Sequence, residues 1–123
     1  MTPLHWAASN GNLSVVEYLV NQKANINSKD KDGWAPLHYA SSNGHLSVVE
    51  YLVNQKADID SKNCYDKTPL HLAAQKGHLS VVEYLVNQKA DVNSKTRSAE
   101  FFNLIGLLFI LLLKMVILVL LNI

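Results

Sequence analysis

The chain has 123 residues, a formal net charge of +1, 17% charged and 49% apolar residues, and one cysteine. That length suits one small domain, and the near-neutral charge gives no electrostatic ground for nucleic acid or acidic partners. A lone thiol, Cys64, builds neither an internal disulfide nor a zinc site, which fits a cytosolic setting, and the opening MTPLHWAASNGN lacks the basic start and apolar run of a signal peptide.

Taken in chain order, the sequence repeats itself. TPLHWAASNGNLSVVEYLVNQKANINSK starts at Thr2, APLHYASSNGHLSVVEYLVNQKADIDSK at Ala35 and TPLHLAAQKGHLSVVEYLVNQKADVNSK at Thr68, a period of 33 residues. Such a period predicts a stack of like units, and each unit reads as two helices. Thr2, Ala35 and Thr68 stand at the first entrance, followed by Pro3, Pro36 and Pro69, whose missing N–H costs nothing there. Ala35 gives up the hydroxyl cap that its two equivalents can supply. Gly11, Gly44 and Gly77 end the first helix in a left-handed conformation. Ser14 and Glu17, with Ser47 and Glu50, then Ser80 and Glu83, have the spacing of a capping box for the second helix. Its apolar stripe is Leu13, Val16, Leu19 and Val20. The linking segments are polar and turn-forming, as in NINSKDKDGW.

These residues resemble the ankyrin repeat, most fully in Thr68-Pro-Leu-His71, Ala73-Ala74, Gly77-His78, Val81-Val82 and Ala90-Asp-Val-Asn93. The resemblance runs from residue 2 to about 95. Three departures stand out. Lys23, Lys56 and Lys89 replace the glycine that usually precedes the exit Ala-Asp. Asp66 stands where Gly33 makes the hairpin turn, and Asn12 stands where His45 and His78 do.

The resemblance implies an all-α solenoid over residues 1–97, in units of about 1–33, 34–66 and 67–97. It also implies a non-catalytic scaffold that binds protein partners through hairpin tips and the exposed surface of the first helix. A solenoid offers an extended concave surface of that kind. By position, the hairpin-tip candidates are Lys31, Asp32, Trp34, Cys64, Tyr65 and Lys67. The helix candidates are Ser9, Asn10, Ser42, Asn43, Gln75 and Lys76. Trp34 and Tyr65 are natural hot spots, with packing on the neighbouring hairpin as the competing role for Trp34. Trp6, Tyr39 and Leu72 share one position and read as core. In the family, histidines such as His5, His38, His71, His45 and His78 bond the backbone and tie loops together. A regular stack spaces equivalent side chains about 10 Å apart, too far to share a metal. No phosphate-binding glycine loop or nucleophile elbow is present, so no catalytic residue, cofactor or small-molecule substrate is expected.

After a linker at 98–103, residues 104–121 are apolar except for Gly106 and Lys114. Eighteen such residues meet the length of a membrane-spanning helix. Lys114 costs about 3 kcal/mol on the insertion scale, and each Leu, Ile, Phe or Val returns roughly 0.3–0.6 kcal/mol. Lys95 and Arg97 on the N-terminal flank would leave the repeats cytosolic, making a tail-anchored protein. A second account competes. Spelled in permitted codons and read one nucleotide toward the 5′ side, the tail from Leu107 yields TPLHFASQNGHLSVVEY, a fourth repeat in the wrong frame. A third is that the segment packs as a helix on the open end of the third unit.

Overall fold

The computed structural model describes residues 1–96 and 100–121, and in the last helix it describes the side chains from Phe109 to Leu121. The described residues are helical, with no strand among them. The first unit contributes α1 (Pro3–Asn10) and α2 (Leu13–Asn21), the second α3 (Pro36–Ser42) and α4 (Leu46–Asn54), and the third α5 (Pro69–Lys76) and α6 (Leu79–Asn87). A long α7 (Glu100–Leu121) follows. It begins inside the stretch expected to be a linker, of which residues 98 and 99, like residue 97 before them, lie outside the described residues.

The first helix of each unit starts on a threonine–histidine pair. Thr2 Oγ1 accepts the His5 N–H at 3.3 Å, and His5 Nδ1 accepts the Thr2 N–H at 3.0 Å. Thr68 and His71 repeat the exchange at the same two distances. Ala35 keeps only half of it, its N–H donating to His38 Nδ1 at 2.9 Å. Two orphan donors of the helix start are thereby satisfied in units 1 and 3. The expected box at Ser14 and Glu17 does not form. α2, α4 and α6 begin at Leu13, Leu46 and Leu79, one residue earlier, with Asn12, His45 and His78 at the N-cap and no side-chain cap bond. Each serine is thus already inside the helix, where its hydroxyl cannot reach an orphan N–H.

Gly11, Gly44 and Gly77 end the first helices at φ 73°, 74° and 77°, as expected. Lys23, Lys56 and Lys89 hold the left-handed conformation at φ 67°, 71° and 67°, and Asp66 does so at 60°. A side chain in that region costs about 1 kcal/mol. Replacing all three lysines by glycine should therefore raise unfolding free energy by about 3 kcal/mol, since sites in separate units add. A urea titration reads this directly, and an unchanged midpoint would show that the lysines are unstrained.

The core runs the length of the stack. Leu4, Leu37 and Leu70, with Val16, Val49 and Val82, fill the space within each unit. Val48 and Val81 are fully buried as well, whereas their equivalent Val15 is 45% exposed. The apolar stripe of the second helix is thus wider than one unit needs, and its extra edge faces the preceding unit. The same difference corrects the reading of Trp6 as core. Leu72 is buried and Tyr39 half-buried, but Trp6 is 58% exposed because nothing stacks on that side of unit 1 among the described residues.

α7 packs on α5, the place that α5 takes on α3 and α3 takes on α1. Ile110 joins the core, Leu111 lies partly against it, and the Lys114 ammonium is 4.0 Å from the Glu83 carboxylate. The rest of the described helix is bare. Met115 to Leu121 are seven consecutive exposed apolar residues. Among the described residues no helix is long and apolar enough to cross a membrane. Of the expected span 104–121, the side chains up to Leu108 lie outside the described residues.

Candidate binding surface

Each hairpin tip is built on one Asx residue. Asp30 Oδ1 accepts the N–H groups of Asp32 and Trp34, both at 3.0 Å, and the Asp30 N–H donates to Trp34 O at 3.0 Å. Asn63 does the same one unit later, its Oδ1 accepting from Tyr65 at 2.9 Å and Lys67 at 3.0 Å. Short polar side chains of this kind fold the backbone into a turn by bonding to residues two and four positions on. Successive tips are joined where the Cys64 N–H donates to Asp32 O at 3.0 Å. Gly33 permits that approach, since a Cβ there would lie 2.9 Å from the Cys64 nitrogen.

The first tip also carries an aromatic cluster. Tyr39 Oη donates to Asp30 Oδ2. The Trp34 ring lies 4.7 Å from Tyr39 and 6.0 Å from His38, and Tyr39 meets His5 edge-on at 5.8 Å. Burial tends to raise the Asp30 carboxyl, but hydrogen bonds from Tyr39, Trp34 and Asp32 outweigh it and hold the group below its usual range. Burial and the Asp30 carboxylate both push the Tyr39 hydroxyl up. The second tip lacks this arrangement because Leu72 stands in place of Tyr39. There the Asn63 Nδ2 is buried without a partner.

The histidines tie the units together. The Nε2–H groups of His5, His38 and His71 donate to Trp34 O, Lys67 O and Ser94 O at 2.8–2.9 Å. Their Nδ1 atoms already accept backbone N–H groups, which fixes the tautomer. His45 and His78 donate back to Ser9 O at 3.0 Å and Ser42 O at 2.9 Å. Among the described residues no three His, Cys, Asp or Glu side chains converge on a metal-sized site.

Most of the sequence-stated candidates fall on the surface. Lys31, Asp32, Cys64, Tyr65, Asn43, Gln75 and Lys76 are exposed, and so is Asn10. Lys67 is half-buried, with its Nζ donating to Gln75 Oε1 at 3.1 Å. Trp34 is half-buried, with its ring over Tyr39 of the following helix. Asn43 donates to Ser9 O at 2.9 Å, which engages both residues in the unit 1–unit 2 junction. Ser42 is the clear departure: only 6% exposed, it presents no side-chain surface to a partner. Its neighbourhood is closed by His78, a long-range contact that no local pattern reveals. Asp30 and Asn63, which shape both tips, were not among the candidates. The spacing Asp30-x-Asp32-Gly33 is a turn signal that could have drawn attention to the first of them.

A helix-pair stack with left-handed glycines, threonine–histidine caps and histidine-tied hairpins defines a repeat solenoid. The family model for ankyrin repeats matches three copies over residues 4–96, and the chain belongs to the ankyrin-repeat family. No curated protein matches it. Ankyrin repeats are protein–protein interaction modules.

Proposed function

We propose that this chain is a non-catalytic scaffold that grips a protein partner across its two hairpin tips and the exposed ends of α3 and α5. The observation that carries this reading is the contrast between frame and tips. The three units are nearly identical in their core, yet the two rigid tips display different exposed side chains, Lys31 and Asp32 on one, Cys64 and Tyr65 on the other. Rigid presentation of unlike side chains is what selective binding needs, because little ordering entropy remains to be lost on contact. Cys64 is exposed on a tip and serves there as contact surface. Quantitative affinity capture with wild type and Tyr65→Ala tests the reading. An aromatic hot spot should cost about 2 kcal/mol, so a true partner should be lost roughly 30-fold while the melting curve stays put. Equal recovery by both proteins would remove the tips from the interface.

A second reading rests on the bare segment Met115–Leu121. A helix that is apolar all round fits hydrocarbon better than water, and the chain would then be a tail-anchored protein holding its repeats in the cytosol. Resistance of the membrane-bound protein to alkaline carbonate extraction supports this reading, and complete release removes it.

A further inference from the structure

The two hairpin tips share a frame and differ at the one atom that frame leaves over. In each, one oxygen of an Asx side chain takes up two backbone N–H groups: those of Asp32 and Trp34 on Asp30, and those of Tyr65 and Lys67 on Asn63. The remaining atom of the side chain is thereby held in a fixed place. In the first tip it is Asp30 Oδ2, and Tyr39 Oη donates to it. In the second it is Asn63 Nδ2, an N–H donor on a residue that is 4% exposed, and it has no partner. Leu72 stands in the register of Tyr39 and offers no oxygen. A buried amide without an acceptor destabilises the state that holds it, so a group that supplies one is bound the more tightly.

The acceptor that fits best is an anion. Lys67, whose N–H is one of the two on Asn63, stands in the register of Trp34. Its ammonium meets a neutral oxygen, donating to Gln75 Oε1 at 3.1 Å at the surface. Neither Lys67 nor Lys62 pairs with a carboxylate among the described residues. Both lysines act on the His71 ring and lower its basicity, with the Asp91 carboxylate opposing them. The whole chain is near neutral, but residues 67–96 carry four lysines and two acids. An anion is therefore drawn toward the second tip and repelled by Asp30 and Asp32 on the first.

Building on the scaffold reading, on which this step depends, we propose that the second tip binds a carboxylate. An aspartate or glutamate side chain of the protein partner displaces Gln75 from Lys67, and Lys67 Nζ and Asn63 Nδ2 both donate to it. Swinging the flexible lysine stem gives up one exposed bond to a neutral oxygen and gains charge-assisted ones, which are the stronger kind.

The test titrates the full chain, labelled with nitrogen-15, with hexaglutamate and follows the Asn63 side-chain amide by NMR. That resonance should shift and saturate with hexaglutamate and stay in place with hexaglutamine. Asn63→Asp keeps the turn, as Asp30 does in the first tip, but replaces the donor by an acceptor, and Lys67→Gln removes the cation. Each should weaken binding about 10-fold. Lys76→Gln removes an exposed charge away from the turn and should change it less than about 3-fold. Equal losses in Lys67→Gln and Lys76→Gln would mean diffuse attraction and overturn the proposal, as would an Asn63 amide that does not move. If Tyr65→Ala loses the captured partner while the Asn63 amide ignores hexaglutamate, the scaffold reading stands and the carboxylate site alone is overturned.

Discussion

Acidifying the protein from pH 7 to pH 4 should cost about 3 kcal/mol of stability through His38 alone. Burial lowers this imidazole from 6.5 to about 4, against the opposing effect of its bond to Lys67 O. The side chain is fully buried, its Nδ1 accepts the Ala35 N–H, and its Nε2–H donates to Lys67 O. No site for another proton remains without breaking one of these bonds. Between the two pKa values the unfolded chain binds a proton that the folded chain refuses, so stability rises with pH over that window. The contribution is complete above 6.5, declines as pH falls toward 4 and is flat below. A shift of this size corresponds to about 3 kcal/mol. Burial moves His71 in the same direction and adds to the loss. Urea midpoints at pH 7, 5.5 and 4 measure the slope. His38→Gln should be weaker at pH 7 but less sensitive to acid. A wild-type midpoint that does not move between pH 7 and 4.5 would refute the assignment.

Gly44→Ala should destabilise the fold by about 3 kcal/mol, and Gly77→Ala by only about 1 kcal/mol. Both residues are left-handed, at φ 74° and 77°, so both variants incur the backbone strain of about 1 kcal/mol. They differ in what the new methyl meets. At Gly44 it would stand 2.6 Å from Nδ1 of His78, whose ring is held by its bond to Ser42 O. Moving the ring sacrifices that bond, worth about 1 kcal/mol, and overpacking adds about 1 kcal/mol or more. At Gly77 the methyl meets nothing among the described residues. Paired urea titrations separate the two, and equal losses would show that the unit 2–unit 3 junction yields more easily than its geometry implies.

The period, the glycine stops and the left-handed lysines are legible in the sequence because each depends on its own neighbours along the chain. The helix starts are less so. Ser14 and Glu17 have capping-box spacing, yet α2 starts one residue too early for it, at Leu13 on Asn12, whereas α1 gains a box from Thr2 and His5. Trp6, Tyr39 and Leu72 share one register and differ in burial, since what covers them is the preceding unit rather than their own helix. Ser42 looks like surface in any local reading and is closed by a histidine 36 residues away. The candidate surface follows the same division. Exposure at Lys31, Asp32 and Tyr65 follows from turn chemistry, whereas the stacking of Trp34 on Tyr39 depends on how the tip folds back over α3.

The histidine ties give the stack an uneven mechanical profile. Two histidine N–H bonds cross the joint between units 1 and 2, from His5 and His45, and two histidine N–H bonds cross the joint between units 2 and 3, from His38 and His78, beside further backbone and side-chain bonds at both. The described part of α7 is joined to unit 3 by apolar contact and an ion pair at 4.0 Å. In an array where each unit leans only on its neighbours, opening begins at the weakest joint and spreads from it. Under load or in hydrogen exchange, α7 should detach first, leaving the pinned helix pairs to yield later and in turn.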